Sequence, residues 1–495
     1  MGQQTGRMRQ LVGRLRRVKR PVLLLAAVWL VVYVPLAVGL SQVFPENRYT
    51  ARLDTADIRN ETADMVAYVD RDTPAAAILT VNDTVQQMRV DVQEGYVPVH
   101  LELQGYGSLY NAARFDANRT WTLPGDAVSV LNVSSSIWTV SVEEKRTDVL
   151  FYRARGEALL DGRLLYRDVF TAAPPLINLF WLLPVMLGGS FLVFRLYFAC
   201  FALLLSLLVL RFRPGGRAPA AALFILVNPL TVYSTLLGVQ DDVIVALLFG
   251  AALYLFLRRM MTGASMAVGA AIACKLWPVL LLPSLLPDAA SWPKKIGRVA
   301  LAGGMAVASI VPFAVLAPDE VLSFLRLYVS GDSGQPMEGI AVWRYLGELG
   351  FDPAWMVPVF VAAGVLFAWL VVRRRAGPVQ TAMLFLLLFL LLFPKLHSGY
   401  YLPLLLFVPL LWHKKRMVAA IMAAALGAIA LDGWNWLGWH EPVPVPLLLA
   451  AAIWLLLAWM LFHLLQTVRD APGSGGRAPA APGTSPRSGG GRPPA

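Results

Sequence analysis

Residues 147–176 read TDVLFYRARGEALLDGRLLYRDVFTAAPPL, between a polar, strand-like segment and a long series of apolar runs. The chain therefore re-enters a membrane here while it carries several charges, and charges beside a membrane usually have a function. In a helix, Asp148, Tyr152 and Arg155 fall at i, i+4 and i+7 and share one face. We predict a helix on the membrane surface that exposes the Asp148 carboxylate to water.

Composition places the whole chain in a membrane. The 495 residues are 57% hydrophobic and only 15% charged, which is typical of a protein with several membrane spans. The net charge of +12 does not indicate a nucleic-acid partner, because Lys and Arg gather in short clusters between apolar runs, as in cytoplasmic loops. Cys200 and Cys274 lie inside apolar runs, so they indicate neither a disulfide framework nor a cysteine metal site.

The N-terminal third of the chain divides into three parts. Residues 1–20 form a basic, cytoplasmic N-terminus, and 21–43 form a first span that we predict to be an uncleaved anchor. Between 44 and 146 the hydrophobic period changes to two, and turn residues separate the alternating runs. This pattern predicts an inserted, extracytoplasmic, β-sandwich-like domain.

The remainder reads as a polytopic α-helical membrane protein. The positive-inside rule threads residues 191–466 as a transmembrane helical core, with about twelve spans in the whole chain and both termini cytoplasmic. Residues 147–190 are then an extracytoplasmic amphipathic loop with a re-entrant, proline-containing segment. Residues 467–495 are rich in Gly, Pro, Ser, Ala and Arg, which predicts a disordered cytoplasmic tail.

Four polar clusters interrupt apolar sequence on the predicted outer face. In the first, Asp148 lies near a low-dielectric boundary that would raise its pKa, and it could act as a general base toward a hydroxyl. Alternatively, it and Arg155 only solvate a surface helix. In the second, Asp241 and Asp242 are predicted to point to different sides of a helix start. They either face a ligand or cap that helix.

The other two clusters are cationic. Lys275 stands alone in AIACKLWP, where it either holds a phosphate or only extends its ammonium to the interface. Lys395 and His397 share the loop FPKLHSGYYLP and predict an anion site, although a lone histidine is more often structural. The sequence contains no Walker loop, no G-x-S-x-G motif and no metal-ligand spacing, so neither ATP hydrolysis nor a divalent metal is indicated.

These clusters fall within an ordered set of motifs. Asp148 is followed by G-x-x-x-Y at 162–166 and PPL at 174–176. N-P-L and K-x-x-P then begin at Asn228 and Lys275, and K-x-x-S-x-x-Y-x-P runs from Lys395 to Pro403. This order resembles the membrane glycosyltransferases of the GT-C fold. The resemblance is to the polyprenyl-phosphate-mannose-dependent α-mannosyltransferases, which are family 87-like and related to glycosylphosphatidylinositol mannosyltransferase I.

Two departures from that family pattern stand out. About 100 residues of β-like sequence separate the first span from Asp148, whereas the family places its aspartate close behind the span. Val149 and Leu150 follow Asp148, so the paired D-x-D of mannosyltransferase I is absent. The second departure argues against a metal at this position.

The resemblance implies transfer of a hexose, with mannose as the expected sugar, from a polyprenyl-phosphate donor to a hydroxyl of a glycolipid or glycan acceptor. The reaction would invert the anomeric carbon in one step on the extracytoplasmic face of the cell membrane. It implies Asp148 as the base. The groups near the phosphate would be Lys275, Lys395 and His397. The groups that shape the substrate site would be Arg155, Asp241 and Asp242.

Two other functions stay open from the sequence. A lipid-linked-sugar flippase or transporter commonly shows inverted repeats and charges at the bilayer midplane, whereas here the polar motifs cluster at one face. A non-catalytic cell-envelope assembly protein could instead bind a partner through the β-like domain. Under any of these functions we expect the lipid bilayer, and not nucleic acid, to be the surroundings of the chain.

Overall fold

A computed structural model of the chain describes residues 20–43, nine strands between 48 and 143, and residues 148–167, 171, 173–212, 217–287, 290–318, 321, 339–352, 355–436 and 444–469. This part of the chain is mostly helical. The α-helices are α1 (Arg20–Gln42), α2 (Val149–Leu160), α3 (Pro175–Leu179), α4 (Leu182–Met186), α5 (Phe191–Val209), α6 (Ala218–Val227), α7 (Pro229–Val232), α8 (Asp242–Leu257), α9 (Met261–Cys274), α10 (Trp292–Leu316), α11 (Val342–Gly347), α12 (Met356–Arg374), α13 (Pro378–Leu392), α14 (Leu402–Leu405), α15 (Val408–Leu411), α16 (Lys415–Trp436) and α17 (Pro444–Arg469).

Tighter or wider helical turns join some of these helices. Five-residue π-helices occur at Trp29–Tyr33, inside α1, and at Tyr233–Leu237, directly after α7. Segments of 3-10 helix occur at Trp277–Leu285 and Ser398–Tyr401. The last three of these segments border the polar clusters that the sequence singles out.

The strands between α1 and α2 form two antiparallel sheets. They are β1 (Arg48–Asp54), β2 (Ala63–Tyr68), β3 (Ala77–Val81), β4 (Thr84–Met88), β5 (Val90–Asp91), β6 (His100–Leu103), β7 (Gly107–Tyr110), β8 (Arg114–Asp116) and β9 (Thr139–Glu143). One sheet has the order β4-β3-β2-β1-β9 and the other β5-β6-β7-β8. The face-to-face packing that a sandwich requires stays a prediction.

The first strand, β1, pairs with the last strand, β9, so the two ends of the insertion before Asp148 lie side by side. Thr50 lies opposite Glu143, and the register continues to Asp54 opposite Thr139. The strand that follows the first span therefore runs beside the strand that precedes α2. The first and last strands of the insertion are therefore neighbours, so the long insertion does not by itself move the start of α2 away from the end of α1.

Helix lengths support fewer spans than the sequence pattern predicts. In the described part of the chain, six helices are long and apolar enough to cross a membrane, or seven if the bent pair Ala218–Val227 and Pro229–Leu237 is one span. About twelve spans were expected because each apolar run between basic clusters counts as one crossing. Several runs instead form shorter helices, namely Asp242–Leu257, Met261–Cys274 and Pro378–Leu392.

The bent pair follows directly from the Asn228-Pro229 sequence. The residue before a proline is disfavoured in helical conformation, and Asn228 is extended with φ −62° and ψ 132°. Its side chain accepts a hydrogen bond of 3.0 Å from the Leu230 amide, so it caps the helix that Pro229 begins. The result is a 46° bend that leads the chain toward Asp241.

A buried arginine fixes the end of this bent span. Arg195 of α5 is 2% exposed, and its Nε donates a 3.0 Å hydrogen bond to the Leu236 carbonyl. Its Nη1 donates to Ser41 Oγ at 2.7 Å, which adds the first helix to the same contact. Backbone carbonyls at an irregular helix end need partners inside a membrane, and Arg195 supplies one.

Candidate active site

Lys275 lies between two adjacent carboxylates. Its Nζ is 2.6 Å from Oδ1 of Asp241 and 2.6 Å from Oδ1 of Asp242. Burial lowers the pKa of Lys275, but the two carboxylates outweigh it and hold the pKa well above its usual range. Burial raises the pKa of Asp241 despite the opposing ammonium. The three side chains together carry one net negative charge.

A strained turn places both aspartates on the same ammonium. Val239 has φ +47°, a left-handed conformation that is rare for a β-branched residue, and the Gln240 amide donates to the Ser234 carbonyl at 2.8 Å. Asp241 then stands just before α8, and Asp242 is its first residue. The prediction that the two carboxylates point to different sides is wrong, because Lys275 reaches between them.

The alternative role of helix capping is also not observed. Asp241 occupies the position before α8, yet its side chain makes no capping hydrogen bond. Lys275 follows the last residue of α9 in an extended conformation, with φ −146° and ψ 146°. The ammonium is thus held at the junction of two helix ends, and it does not reach outward as an interface lysine would.

Helix α2 brings Asp148 to this triad. Asp148 is exposed immediately before the helix, and the Tyr152 hydroxyl donates to its Oδ2 at 3.3 Å. Tyr152 is 3% exposed and stacks on Trp181 with ring centroids 4.0 Å apart. Burial raises the pKa of Tyr152, and the charges of Asp241, Asp148 and Asp242 raise it further. The tyrosine therefore lies between Asp148 and the Lys275 triad.

Arg155 lies on the same side of α2, as the helical spacing predicts. It is 8% exposed, and burial lowers its pKa while Tyr152, Asp148 and Asp241 act against that change. The helix is therefore not simply solvated on this face. Gly156 permits close packing on the other side, since a Cβ there would lie 2.6 Å from Cγ2 of Val185.

The loop between α13 and α14, residues 393–401 and here called the late loop, contributes Lys395 and His397. Burial, and then the charge of Lys395, lower the pKa of His397 from 6.5 to about 4, so the imidazole is neutral near pH 7. The sequence interpretation treated His397 as part of a cationic anion site, whereas a neutral ring can only donate or accept a hydrogen bond there. Asp148 and Lys275 also act electrostatically on His397, which places this loop at the same cluster.

Tyr400 and Gly399 complete the loop's contact with the triad. The Lys275 Nζ lies 5.4 Å from the centroid of the Tyr400 ring, within cation–π range. Gly399 packs directly on Asp242, and a Cβ on Gly399 would lie 2.6 Å from Cγ of Asp242. Glycine is therefore required at this position for the loop to approach the carboxylate.

The sequence interpretation missed Asp432. The Ser398 hydroxyl donates a 2.5 Å hydrogen bond to Oδ2 of Asp432, near the end of α16. Asp242 and Asp148 both act electrostatically on Asp432, so a further carboxylate belongs to the cluster. A signal was present, because a lone carboxylate in the apolar run GAIALDGWNW is expensive unless it is paired.

The sequence interpretation also missed Gly339, which lies next to the late loop. The Gly339 carbonyl accepts hydrogen bonds from Arg344 Nη1 at 2.9 Å and Asn435 Nδ2 at 3.1 Å. The next amide, of Ile340, donates to the Leu396 carbonyl at 2.7 Å. No motif marks this glycine in the sequence, and its partner Asn435 is 96 residues away along the chain.

The structure thus brings all of the sequence-predicted residues into one charged cluster at one end of the helices. Direct contacts or electrostatic interactions connect Asp148, Arg155, Asp241, Asp242, Lys275, Lys395 and His397. Arg155 lies within α2, whereas the other six lie at or next to a helix end or in the loop that follows α13.

Part of the chain matches a known protein family. Residues 170–394, under half of the chain, match glycosyltransferase family 87, and this segment includes Asp241, Asp242 and Lys275. Among solved structures, the crystal structure of ArnT from Cupriavidus metallidurans in the apo state is similar at 16% identity, with a TM-score of 0.37. That alignment covers 64% of this chain and 72% of ArnT. No curated protein sequence matches significantly.

The family match confirms the resemblance that the motifs predict, over the segment that carries three of the charged residues. The long apolar helices agree with a position in the membrane. Over residues 170–394 the chain is similar to glycosyltransferase family 87, and its described helices are those of a multi-pass membrane protein.

Proposed function

We propose that this chain transfers a hexose, with mannose as the leading candidate, from a polyprenyl-phosphate donor to a hydroxyl of a glycolipid or glycan. The observation that carries the proposal is the charged cluster around Lys275, which places an accessible carboxylate, Asp148, beside a compensated ion triad. The family 87 match supplies the reaction class. The sugar, the donor and the acceptor rest on the motif resemblance.

Asp148 is the best placed general base among the carboxylates of the cluster. Asp241 and Asp242 are already paired with Lys275, and Asp432 accepts the Ser398 hydrogen bond. Asp148 is exposed and has only a 3.3 Å contact with the Tyr152 hydroxyl. A base must reach the proton that it removes, so accessibility favours Asp148 over the buried carboxylates.

The proposed step is a single displacement. The acceptor oxygen forms a bond to C1 of the donor sugar as the bond from C1 to the phosphate oxygen breaks. The electron pair leaves with the polyprenyl phosphate, and the hydroxyl proton passes to Asp148. Attack opposite to the leaving group inverts C1, and no covalent nucleophile is needed.

The groups that were predicted to hold the phosphate carry less net positive charge in the structure than the sequence indicates. Lys275 is balanced by two carboxylates, and His397 is neutral near pH 7. The motif resemblance puts Lys395 near the leaving phosphate, and we propose His397 as a neutral hydrogen-bond donor beside it. Lys275 would then hold Asp241 and Asp242 in place to shape the donor site, with Arg155 behind them.

We also propose an orientation and a division of the chain. The basic clusters place residues 1–20 and 467–495 in the cytoplasm, which puts the charged cluster on the extracytoplasmic face. Residues 44–146 would then be an inserted extracytoplasmic domain next to the site. A cysteine introduced at exposed Asp161 should react with a membrane-impermeant maleimide in intact cells, whereas one at Lys294 should react only after the cells are opened.

The decisive experiment measures sugar transfer by the purified protein in detergent. Radiolabelled polyprenyl-phosphate mannose and a membrane glycolipid extract are given to wild type, to Asp148→Asn, and to the matched control Asp161→Asn. Asp161 is exposed at the other end of α2, so the control removes the same charge away from the cluster. We expect wild type and the control to form labelled product and Asp148→Asn to form almost none.

Other outcomes distinguish the parts of the proposal. Transfer by Asp148→Asn at the wild-type rate would keep the reaction class and remove Asp148 as the base. If no protein transfers mannose, the same assay is repeated with polyprenyl-phosphate glucose and galactose, and failure with all three would reject the donor class. Movement of the labelled lipid across sealed vesicles without product would instead indicate a flippase.

A further inference from the structure

A second polar site lies far from the charged cluster. A cavity of about 540 Å³ is lined by Arg217, Trp412, His413, Lys415, Val418 and Ala419. None of these lining residues, all of which belong to the described part of the chain, is acidic. Its lining combines the basic side chains of Arg217 and Lys415 with apolar ones, a combination suited to an anion that carries an apolar part.

The same helices connect this cavity to the proposed active site, from opposite ends. Lys415 begins α16, and Asp432 of the cluster follows about 25 Å further along that helix. Arg217 precedes the bent pair α6 and α7, whose other end leads to Asp241, about 30 Å away if the pair were straight. The cavity is therefore at the level of the leaflet opposite to the active site.

The starts of α6 and α16 lie at the same cavity. α6 begins at Ala218, just after Arg217, and α16 begins at Lys415. The first turn of a helix carries unsatisfied N–H groups and partial positive charge, which add to the charges of the arginine and lysine. Arg217 and Lys415 are both exposed, so their charged groups remain available to a ligand.

Trp412 gives the cavity a fixed wall. Its ring meets Phe224 of α6 edge-on, with centroids 6.1 Å apart, and so joins the end of α15 to α6. The turn after it is tight, because the Lys414 amide donates to the Leu411 carbonyl at 2.6 Å. Tryptophan commonly lies at the headgroup level of a bilayer, where one side of its ring is apolar and its edge is polar.

From these features we propose that the cavity binds the phosphate of an anionic ligand, and that the ligand is a phospholipid headgroup in the leaflet opposite to the active site. Arg217 and Lys415 would contact the phosphate oxygens, and Trp412 would lie against the glycerol and the upper acyl chains. This site takes no part in sugar transfer, and the proposal does not depend on the donor or the acceptor. Its occupation would tie α6 to α16 at the end remote from the chemistry.

The test measures ligand binding to the full-length protein in detergent by thermal unfolding. Short-chain phosphatidylglycerol, phosphatidylcholine of the same chain length, glycerol 3-phosphate and inorganic phosphate are titrated separately. The proteins are wild type, the double variant Arg217→Gln/Lys415→Gln, and a control, Lys294→Gln/Lys295→Gln. The control removes two cations from the start of α10, outside the cavity.

We expect phosphatidylglycerol to raise the Tm of wild type and of the control, and to bind the double variant about tenfold more weakly. Phosphatidylcholine should raise the Tm less than phosphatidylglycerol in all three proteins. If the two soluble phosphates bind wild type as tightly as phosphatidylglycerol does, the phosphate site stands and the lipid source is rejected. Equal responses of the double variant and the control to phosphatidylglycerol would overturn the proposal.

Discussion

Gly399 packs against Asp242 so closely that a Cβ at position 399 would lie 2.6 Å from Cγ and 2.8 Å from Cβ of the aspartate. The late loop therefore touches the carboxylate through backbone alone. Since Asp242 also pairs with Lys275, any displacement of the carboxylate passes to the ammonium. The position of the triad thus depends on a glycine that carries no charge.

We expect Gly399→Ala to lower the rate of sugar transfer by about 100-fold, because small misplacements of groups at a reacting centre have effects of that size. The substitution must move either Asp242 or the loop. The matched control is Gly364→Ala in α12, where an added Cβ meets nothing within 4 Å. Transfer by Gly399→Ala at the rate of Gly364→Ala would show that the contact is not needed.

The second prediction concerns the balance of charges in the triad. Lys275→Met leaves two buried carboxylates without their cation, and breaking a buried ion pair in this way costs about 3–5 kcal/mol. We expect this variant to show a much lower Tm in detergent and a low yield of monodisperse protein. Adding Asp241→Asn to Lys275→Met should recover part of the Tm, since one uncompensated charge is then removed.

Comparing Asp241→Asn with Lys275→Met distinguishes a structural role of the lysine from a role in substrate binding. Asp241→Asn alone keeps Lys275 paired with Asp242, so it should unfold at a higher temperature than Lys275→Met. If Lys275→Met unfolds at the wild-type temperature and loses only sugar transfer, the lysine contacts substrate and does not stabilise the aspartates.

The sequence alone indicated which local segments meet in the charged cluster. Asp148, Lys275 and Lys395 could be recognised because a charge that interrupts an apolar run needs a reason, and their motifs resemble a known family. Likewise, the Asn228-Pro229 pair predicts a helix boundary from backbone sterics alone. These are properties of neighbouring residues, so they are visible without a fold.

Pairing across the chain could not be predicted in the same way. Lys275 meets Asp242 over a separation of 33 residues, and Gly339 meets Asn435 over 96. Asp432 was overlooked because its run was interpreted as an ordinary span. The described helices support six or seven of the expected spans for a related reason: apolar content shows that a segment is buried, but it does not distinguish a crossing helix from a shorter one packed inside the protein.

The third prediction tests whether Ser398 and Asp432 act as a unit. Ser398→Ala removes the donor to a carboxylate in the cluster, and an unsatisfied buried group of this kind costs about 1–3 kcal/mol. We expect a lower Tm for Ser398→Ala than for Ser309→Ala, where the hydroxyl only bonds the Ala306 carbonyl of its own helix. In the double variant with Asp432→Asn, the losses in Tm should not add. Additive losses would indicate that the two side chains act independently.

The last prediction follows from the depressed pKa of His397. Its folded value of about 4 lies below the ordinary 6.5, because the ring is buried and lies close to Lys395. Between these two values the unfolded chain binds a proton that the folded chain does not, so stability falls as the pH is lowered from 6.5 to 4. The contribution is fully present above pH 6.5 and is about 3 kcal/mol at most.

We therefore expect His397→Asn, which cannot titrate, to show a flatter dependence of Tm on pH between 4 and 6.5 than wild type. Lys395, Asp148, Lys275 and Arg344 also act electrostatically on the ring. Asp148 is the carboxylate among these four neighbours, so the comparison is repeated in an Asp148→Asn background. Parallel curves for wild type and His397→Asn in both backgrounds would mean that the imidazole is not held neutral by its surroundings, and its assignment as a neutral donor beside the phosphate would then be wrong.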